Sequence, residues 1–538
     1  MTVSSSDLEV ALERVDAFIA EEMASEGPPG IALAITDPER TLAVRTYGYA
    51  NLDAKIPVDS SHLFQTGSTG KSFAAVMVME EVERGRLRLD APVTDYLPWF
   101  EVPSNYSEIT LLHLMTHTAG ISTGGEGSPG TEGEVYALRD SEAAWEPGTR
   151  AWYSNAGWKT IGLILERVND RPHAQLVRER IFEPLGMSSS SGAITNDVRE
   201  RCTVGYHRLF DDRLDHRSYP WIPAPFSEST SADGSLCCPV EDMAAFVRLI
   251  LNRGRGPSGP IVSQANFDYL TQKFIQDRDE PEWWYGLGFF TSDVDGRRIL
   301  GHSGGTLGFT TGMWTEDGLG VVILQNSTRG AWWLAPYVLG VTRAALDGAT
   351  LPEPPARTDP ATIRTAAEHA GIFRSGDLTI ELVAEGHGLS VDAVPLEHVS
   401  GDTFMAPHPA LGRFPLRFAR EAGVVVEVSH GPDRYRREGH AGRPKSTSPP
   451  AEWQSYAGHY RSHNPWSPSL RVFVRDDDLI LATSNVDAGE AETKLVALAS
   501  GRFRLGDTPE QIVFDTVIEG STHRALLTNQ PFFRTFTP

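Results

Sequence analysis

The chain has 538 residues, more than one hydrophobic core accommodates, so two to four domains are expected. Its composition, with 40% hydrophobic and 22% charged residues, is that of an ordinary globular protein, and no run of about 18 apolar residues predicts a membrane-spanning helix. The net charge of −23 repels phosphate backbones and argues against nucleic-acid and anionic-membrane partners.

The amino-terminal segment predicts an amphipathic helix, with apolar residues on one face at Leu8, Leu12, Val15 and Phe18. It lacks a basic start, an apolar stretch and a small-residue cleavage site, so no secretory signal is expected and a cytoplasmic location is predicted. The chain has three cysteines: Cys202, Cys237 and Cys238. An odd number with two adjacent fits neither a disulfide framework nor a zinc motif, so we expect reduced, buried thiols.

Residues 1–350 alternate helical and strand patterns. Residues 30–50 predict a hairpin of two apolar strands around a polar turn. Further helices are predicted at 68–84, 156–168 and 241–252, and further strands at 285–292, 297–304 and 319–326. Helices in the middle with strands at both ends predict an α/β (α+β) domain whose sheet is closed by amino- and carboxyl-terminal strands.

Two proline-rich segments, 351–361 and 442–450, divide the rest of the chain and are typical of stiff linkers. The sequences that follow them begin alike, with HAGIFRS at 369–375 and YAGHYRS at 456–462, and the matching positions lie 87 residues apart. We interpret this as an internal duplication of two small all-β modules, each long enough for a barrel of about eight short strands. The predicted domains are 1–350, 362–441 and 451–538.

The stretch TGSTGKS at 66–72 has two incompatible interpretations. A glycine-flanked lysine followed by serine is typical of a phosphate-binding loop, but that pattern needs a glycine where Gln65 stands and an apolar strand just upstream. A serine three residues before a lysine is instead typical of a nucleophile with its own base. The missing glycine and strand make nucleotide binding the weaker interpretation.

The second interpretation depends on Ser68 and Lys71 at the start of the predicted helix. Residues three apart on a helix share a face, so the amine of Lys71 can lie beside the hydroxyl of Ser68. A serine hydroxyl is a poor nucleophile unless a neighbour takes its proton, and a desolvated lysine is able to act as that neutral base. The amino terminus of the helix adds a favourable field for an oxyanion.

A second motif, Tyr153-Ser154-Asn155, stands in a predicted turn that leads into a helix. Tyr153 could relay a proton to the leaving group, and Asn155 could donate its amide to Lys71 or to a substrate carbonyl. The structural alternative is that Tyr153 packs and Asn155 caps the helix.

A third motif, His302-Ser303-Gly304-Gly305, ends a predicted strand. Successive glycines let a substrate backbone lie close along that strand, so we assign His302, Gly304 and Gly305 to substrate binding. The backbone N–H groups of Gly305 and Ser68 are then the predicted oxyanion pair.

SxxK, YxN and HxG in this order resemble the serine β-lactamase and penicillin-binding protein superfamily, nearest its class C β-lactamase-like branch, over residues 10–345. The resemblance implies a β-lactamase-like catalytic domain with an antiparallel sheet flanked by helices. The three-domain layout is most similar to the D-aminopeptidase group and implies two small lipocalin-like all-β barrels after the catalytic domain. By position, the resemblance implies these roles: nucleophile Ser68, base Lys71, proton relay Tyr153, positioning group Asn155, third-motif cation or donor His302, and structural framework His117.

The third motif departs from the β-lactamase and transpeptidase pattern, which usually has lysine where this chain has His302. A histidine with a pKa of about 6.5 is charged only part of the time, so a weaker hold on a substrate carboxylate is expected. The departure puts efficient β-lactam hydrolysis in doubt. It is similar to family members that act as esterases, D-amino-acid amidases or D-aminopeptidases.

Two loops are candidates for controlling substrate access. The second all-β module has HNPWSPS at 463–469 where the first has two residues, and we hypothesise that this stiff loop brings Trp466 to the cleft and excludes long substrates. The alternative is a loop that covers its own barrel. The glycine-rich stretch 123–135 is the second candidate, with a surface insertion as its alternative.

These observations predict a serine hydrolase that acts through an acyl-enzyme on a small amide, peptide or ester, with D-configured residues favoured by the resemblance alone. No metal or organic cofactor is implied, the expected partner is a small-molecule or peptide substrate, and a homodimer is one option for the oligomeric state. A carboxylesterase and a peptide transacylase or cyclase of the same fold are alternatives. An alternative of another class is a non-catalytic penicillin-recognising sensor.

Overall fold

The computed structural model describes residues 5–25, 27–125, 130–294, 296–328, 334–356, 358–441, 449–484, 491–499 and 501–536. The chain forms two compact units. The amino-terminal unit comprises Met1–His207 and Ile222–Pro355, and the carboxyl-terminal unit comprises Arg208–Trp221 and Ala356–Pro538. Among the described residues, no helix has both the length and the apolar character needed to span a membrane.

Helices and strands alternate through the first two thirds of the chain. The helices are α1 (Ser5–Ser25), α2 (Gly70–Glu83), α3 (Leu111–Met115), α4 (Thr131–Tyr136), α5 (Asn155–Asn169), α6 (His173–Val177), α7 (Glu183–Leu185), α8 (Val240–Leu251), α9 (Gln264–Leu270) and α10 (Leu334–Leu346). The strands are β1 (Gly30–Thr36), β2 (Thr41–Asn51), β3 (Ile56–Pro57), β4 (Phe64–Gln65), β5 (Tyr206–Arg208), β6 (Trp221–Pro223), β7 (Cys237–Cys238), β8 (Arg255–Gly256), β9 (Gly259–Pro260), β10 (Ile275–Gln276), β11 (Trp283–Tyr285), β12 (Phe290–Val294), β13 (Arg297–Thr306), β14 (Phe309–Glu316) and β15 (Leu319–Gln325).

Nine antiparallel strands form the central sheet of the amino-terminal unit, in the order β10-β11-β12-β13-β14-β15-β1-β2-β3. β1 pairs with β15 and with β2, so strands from both ends of this part of the chain lie side by side, as predicted. Side chains alternate along the fully buried β1. Ile31, Leu33 and Ile35 pack with α1 and α10. Ala32 and Ala34 face the larger core, which α2, α5 and α8 complete.

Most predicted elements of this unit are confirmed, including the amino-terminal amphipathic helix, the first hairpin and the three internal helices. The single strand predicted over 285–292 is wrong. β11 ends at Tyr285 and β12 begins at Phe290, and Gly288 between them has a φ of +86° that L-residues rarely adopt. The chain therefore turns inside a stretch whose apolar side chains are typical of one strand.

The three cysteines are free thiols, as predicted. Cys237 and Cys238 are buried, and Cys202 is partly buried. Burial raises the pKa of the Cys238 thiol to about 12, so this thiol stays protonated at neutral pH.

The described part of the carboxyl-terminal unit consists of two short helices and seventeen strands. The helices are α11 (Ala366–His369) and α12 (Trp453–Tyr456). The strands are β16 (Gly371–Ser375), β17 (Leu378–Glu385), β18 (Gly388–Val391), β19 (Val394–Pro395), β20 (Glu397–Ser400), β21 (Thr403–Met405), β22 (Leu416–Glu421), β23 (Val424–His430), β24 (Asp433–Arg437), β25 (Gly458–Arg461), β26 (Ser469–Arg475), β27 (Asp478–Thr483), β28 (Glu492–Ala499), β29 (Arg502–Leu505), β30 (Gln511–Ile518), β31 (Ser521–Leu527) and β32 (Gln530–Thr535).

The strands of this unit form two barrel-shaped modules, which confirms the predicted fold class. The first is a nine-stranded sheet whose terminal strands, β19 and β20, are neighbours along the chain, and the second is a closed barrel of eight strands. The predicted domain limits stay predictions. Residues 442–448 of the second predicted linker lie outside the described residues.

The first module is fastened by an arginine on its strand β24. The short helix α11 is followed by Ala370 and then by Gly371, the first residue of β16. Arg437 donates hydrogen bonds to the carbonyls of Glu368 and Ala370. A Cβ on Gly371 would lie 3.2 Å from Nε of Arg437, so the absence of a side chain there leaves room for the guanidinium.

The second module repeats this arrangement 87 residues later. The helix α12 is followed by Ala457 and then by Gly458, the first residue of β25. Arg534 donates to the carbonyls of Ser455 and Ala457. A Cβ on Gly458 would lie 2.9 Å from Nε of Arg534. The helix, the glycine and both carbonyls recur at the 87-residue spacing, and an arginine on the last strand of each module makes the matching contacts, which supports the internal duplication inferred from the sequence.

A buried histidine makes the amino-terminal unit sensitive to acid. His173 is 2% exposed, and neither ring nitrogen has a hydrogen-bond partner in the described part of the chain. Burial lowers its pKa to about 4. Since an unfolded histidine titrates at about 6.5, the stability present above that pH is lost as the pH falls toward 4, by about 2 kcal/mol at about pH 5.

We expect His173→Leu to lessen this acid-dependent loss and to leave stability at neutral pH unchanged or raised, because an unpaired buried polar group is removed. Urea unfolding at neutral pH and at about pH 5 would measure the difference. His463→Leu, at an exposed histidine, is the matched control. An unchanged loss of stability in His173→Leu would contradict this account.

Candidate active site

The nucleophile predicted from the sequence lies in a tight turn at the start of α2. Gly67–Thr69 form a 3₁₀ turn that leads directly into the helix. Ser68 is partly exposed, whereas the side chain of Lys71, one turn further on, is 0% exposed. Nζ of Lys71 lies 3.0 Å from Oγ of Ser68. An accessible hydroxyl thus contacts an amine that is shielded from water.

Lys71 has two further hydrogen-bond acceptors. Its Nζ donates to Oδ1 of Asn155 at 2.8 Å and to the carbonyl oxygen of Asp233 at 2.7 Å. A charged lysine has three protons and a neutral lysine has two. With Asn155 and the carbonyl of Asp233 accepting from Nζ, Oγ of Ser68 occupies a third position around the amine, where it is able to give up its proton. This is the geometry that a general base needs.

The same contacts argue against the phosphate-loop interpretation of TGSTGKS. A lysine that binds nucleotide phosphate presents its ammonium to the ligand. Here the amine is buried, and the protein supplies its acceptors.

Asn155 is available to Lys71 because another residue caps the helix. Oγ of Ser154 accepts the N–H of Gly157 and satisfies the amino terminus of α5. Asn155 accepts from Lys71 through its side-chain oxygen, the only arrangement an ammonium permits, since an ammonium cannot accept a hydrogen bond. The structural alternative of Asn155 as the cap is therefore wrong, and so is the expectation that its amide donates to Lys71.

His117 holds both sides of Tyr153. Its carbonyl oxygen accepts the N–H of Trp152, and its Nδ1 accepts the N–H of Ser154. The imidazole stacks on the Tyr153 ring with centroids 4.1 Å apart, and Nζ of Lys71 lies 4.9 Å from the centroid of that ring. Burial and then the charge of Lys71 lower the pKa of His117 well below its usual value, so the ring is neutral at neutral pH, and the indole N–H of Trp158 lies 3.2 Å from its Nε2. The sequence assigned His117 only a framework role.

The glycines of the third motif lie directly against the Ser68 turn. Gly67 has a φ of +55°, and a Cβ there would come within 2.6 Å of the backbone of Gly305. A Cβ on Gly304 would lie 2.9 Å from the backbone nitrogen of Ser68. The hydroxyl of Thr311 on β14 donates to the carbonyl of Thr66 and ties the turn to the sheet. The two backbone segments predicted to form the oxyanion pair are therefore neighbours.

The edge of β13 beyond Gly301 is open. β12 pairs with residues 297–301 of β13, and 302–306 have no strand partner on that side within the described part of the sheet. Gly305 is exposed. The substrate-binding role of Gly304 and Gly305 stays a prediction.

His302 is neutral and buried. It is 1% exposed, and burial followed by the charge of Lys71 lowers its pKa to about 3. Its Nδ1 contacts the carbonyl of Ser303 and must carry the proton, so Nε2 accepts from the hydroxyl of Tyr285 at 3.2 Å. The partial positive charge expected from the sequence is absent at neutral pH. That expectation used the ordinary pKa of a histidine, which does not include the effect of burial.

Asp233, which the sequence did not single out, is held by a second buried lysine. Nζ of Lys159 lies 2.6 Å from Oε2 of Glu134 and 3.9 Å from Oδ2 of Asp233. Lys159 lies one turn after Asn155 on α5, so both residues occupy the face that is turned to Lys71. One contacts Lys71 directly, and the other positions the loop whose carbonyl contacts it.

The structure describes one of the two predicted access elements in full and the other only in part. Residues 126–129 of the glycine-rich stretch lie outside the described residues, and its end forms α4, where Glu134 is buried. The side chain of Trp466 is 41% exposed, and its backbone N–H donates to Oδ1 of Asn464. Their roles in substrate access stay predictions.

Known proteins share the sequence and the fold around these residues. The β-lactamase family model matches residues 15–332, more than half of the chain. Penicillin-binding protein 4 of Amycolatopsis lactamdurans is 28% identical over 330 residues, which are 59% of this chain and 84% of that protein.

Two solved structures extend the comparison. The octameric penicillin-binding protein homologue from Pyrococcus abyssi is 22% identical with a TM-score of 0.58, and the match covers 88% of this chain and 98% of that one. EstCE1, a hydrolase with promiscuous acyltransferase activity, is 20% identical with a TM-score of 0.53 and is matched over 64% of this chain and 100% of its own. At these identities the two structures show a shared fold.

We expect Lys159→Met to slow the reaction of Ser68 with a fluorophosphonate roughly tenfold, because the loop that carries the carbonyl acceptor of Lys71 loses its ion pair. A tenfold change corresponds to about 1.4 kcal/mol in the activation free energy. Lys159→Arg should restore most of the rate because it keeps the charge. The rate of covalent labelling, followed by mass spectrometry, is the measurement.

A double variant, Lys159→Met with Glu134→Gln, is the control for an unpaired buried carboxylate. If this variant folds as stably as the wild type and labels at the wild-type rate, the ion pair has no positioning role.

Proposed function

Because the chain belongs to the β-lactamase family and is a serine hydrolase of this fold, we propose that it cleaves small amide, peptide or ester substrates through an acyl-enzyme on Ser68. The observation that carries the proposal is the buried amine of Lys71, 3.0 Å from Oγ of Ser68, with two other acceptors fixed around it. This arrangement favours transfer of the serine proton to Lys71 as the hydroxyl attacks.

In the proposed reaction, Oγ of Ser68 attacks the substrate carbonyl and Lys71 takes the proton. The N–H groups of Ser68 and Gly305 bind the tetrahedral oxyanion. Tyr153 relays the proton to the leaving amine or alcohol, and the acyl group stays on Ser68. Water, activated by the same groups, then attacks the ester and releases the acid. The contact of Lys71 with the face of the Tyr153 ring and the stacking of that ring on His117 hold Tyr153 beside the proposed base.

The neutral state of His302 supports a proposal for the substrate class. A cation in the third motif would bind a substrate carboxylate, and His302 at a pKa of about 3 supplies none at neutral pH. We therefore assign this site to amide and ester substrates that have no free carboxylate next to His302. We expect β-lactams to be poor substrates. A preference for D-configured residues is part of the proposal and derives from resemblance to the D-aminopeptidase group.

Asn155 positions Lys71 in this scheme, and Gly304 lets the substrate backbone approach β13. Trp466 is assigned to limiting substrate length, as the loop sequence predicts. The neighbour from Pyrococcus abyssi is described as octameric, and self-association of this chain is likewise a prediction.

We expect a fluorophosphonate and a fluorescent β-lactam to label the wild type at Ser68, and Ser68→Ala to lose both labels. A panel of D- and L-aminoacyl p-nitroanilides beside p-nitrophenyl esters should show turnover that Ser68→Ala reduces by about 10³-fold or more. Absence of any adduct on Ser68 would favour the sensor alternative. Turnover of esters alone would favour a carboxylesterase, and amine-dependent acyl transfer would favour a transacylase.

We expect the ratio of kcat/KM for a peptide amide over its free-carboxylate counterpart to stay constant within about twofold between about pH 8 and pH 5. The reason is that a group with a folded pKa of about 3 gains no charge in this window. His302→Gln, neutral at every pH, is the matched control. A preference for the carboxylate that rises below about pH 6.5 in the wild type alone would show that His302 becomes charged.

A further inference from the structure

Three arginines of the carboxyl-terminal unit converge on one carboxylate. Nε of Arg213 donates to Oδ1 of Asp212 at 3.0 Å. Nη2 of Arg471 lies 3.5 Å from Oδ2 of Asp212, and Nε of Arg413 lies 4.0 Å from the same oxygen. Of these three arginines, Arg213 has a hydrogen bond to Asp212, and the other two are held at ion-pair distance.

The neighbouring carboxylate is already engaged. Both oxygens of Asp211 pair with the guanidinium of Arg461. His459 adds no positive charge at neutral pH, since burial and the nearby Arg471 and Arg461 lower its pKa to about 4. The charge of Arg471 and Arg413 is therefore shared with one carboxylate that Arg213 has already paired.

Three donor nitrogens of Arg471 and Arg413 have no hydrogen-bond partner among the described residues. Nε and Nη2 of Arg471 and Nε of Arg413 are buried and have no hydrogen-bond partner in the described part of the chain. The side chain of Arg471 is 13% exposed, and that of Arg413 is 36% exposed. Unsatisfied donors on a buried charge are costly, so a ligand that accepts from them would be stabilising.

We propose that Arg413 and Arg471 form a binding site for a small oxoanion, with phosphate as the best-matched ligand. Guanidinium groups pair with phosphate and carboxylate oxygens through parallel hydrogen bonds, and the orphan Nε and Nη2 of Arg471 form one such fork. Nε of Arg413 supplies the third donor. Asp212 stays paired with Arg213, and its negative charge repels the bound anion. We therefore expect a dissociation constant on the order of millimolar for phosphate.

The position of the site gives the anion a structural role within this unit. Arg413 belongs to the first module, Arg471 lies on β26 of the second, and Asp212 and Arg213 lie in the segment inserted from residues 208–221. A bound oxoanion would link the two modules at this point. Arg461 and Arg471 also flank the loop 462–468 that carries Trp466, so occupancy would steady the base of that loop.

Thermal unfolding of the full chain in sodium phosphate and in sodium chloride at matched ionic strength tests the site. We expect phosphate at tenfold excess over its dissociation constant to raise the Tm of the carboxyl-terminal unit by about 3 °C. Sulfate and acetate distinguish a tetrahedral dianion from a carboxylate. Equal Tm values in all four salts would overturn the proposal.

Arg471→Met and Arg413→Met should each abolish the phosphate-dependent rise. Arg471→Met should leave the Tm in chloride unchanged or higher, because it removes a mostly buried charge whose Nε and Nη2 lack hydrogen bonds. Arg374→Met, at an exposed arginine of the same unit, is the matched control and should keep the rise. A rise of wild-type size in Arg471→Met would assign phosphate binding elsewhere. Labelling of Ser68 is independent of this result, so the proposed hydrolase activity stands or falls separately.

Discussion

A lysine amine buried away from water, with its acceptors fixed in advance, is the constraint on which the rest of the site depends. A buried amine is tolerated only where hydrogen bonds replace its hydration. For Lys71 those bonds come from Ser68 on its own turn, from Asn155 at the start of α5, and from the carbonyl of Asp233. The three segments are far apart in sequence, so the base is assembled only when the unit has folded.

Close backbone packing is the second requirement. Gly67 and Gly304 stand where a Cβ would collide with main-chain atoms of the neighbouring segment. The contact brings the Ser68 turn against β13, and the hydroxyls of Thr306 and Thr311 donate to Gln65 and Thr66 across the same junction. The edge of β13 and the start of α2 thereby form one surface, on which the backbone segments of Gly305 and Ser68 are neighbours.

Much of this could be predicted because it is local. The three-residue spacing of Ser68 and Lys71 on a helix and the 87-residue repeat follow from periodicity. The carbonyl of Asp233 and the Lys159–Glu134 pair could not be predicted, since they arise where loops distant in sequence meet. The charge of His302 was misjudged because its pKa depends on burial that the sequence does not display. The turn at Gly288 was missed because its flanking apolar residues also fit a strand.

The paired arginine fastenings, Arg437 and Arg534, bear on how the two modules diverged. In each module the arginine holds the short helix that precedes the first strand. This contact does not involve the loop of the first hairpin. The first hairpin is joined by two residues between β16 and β17, and the corresponding one by seven between β25 and β26. After the duplication, the loop between β25 and β26 was thus free to lengthen and change in sequence, because the contacts shared by the two modules do not involve it.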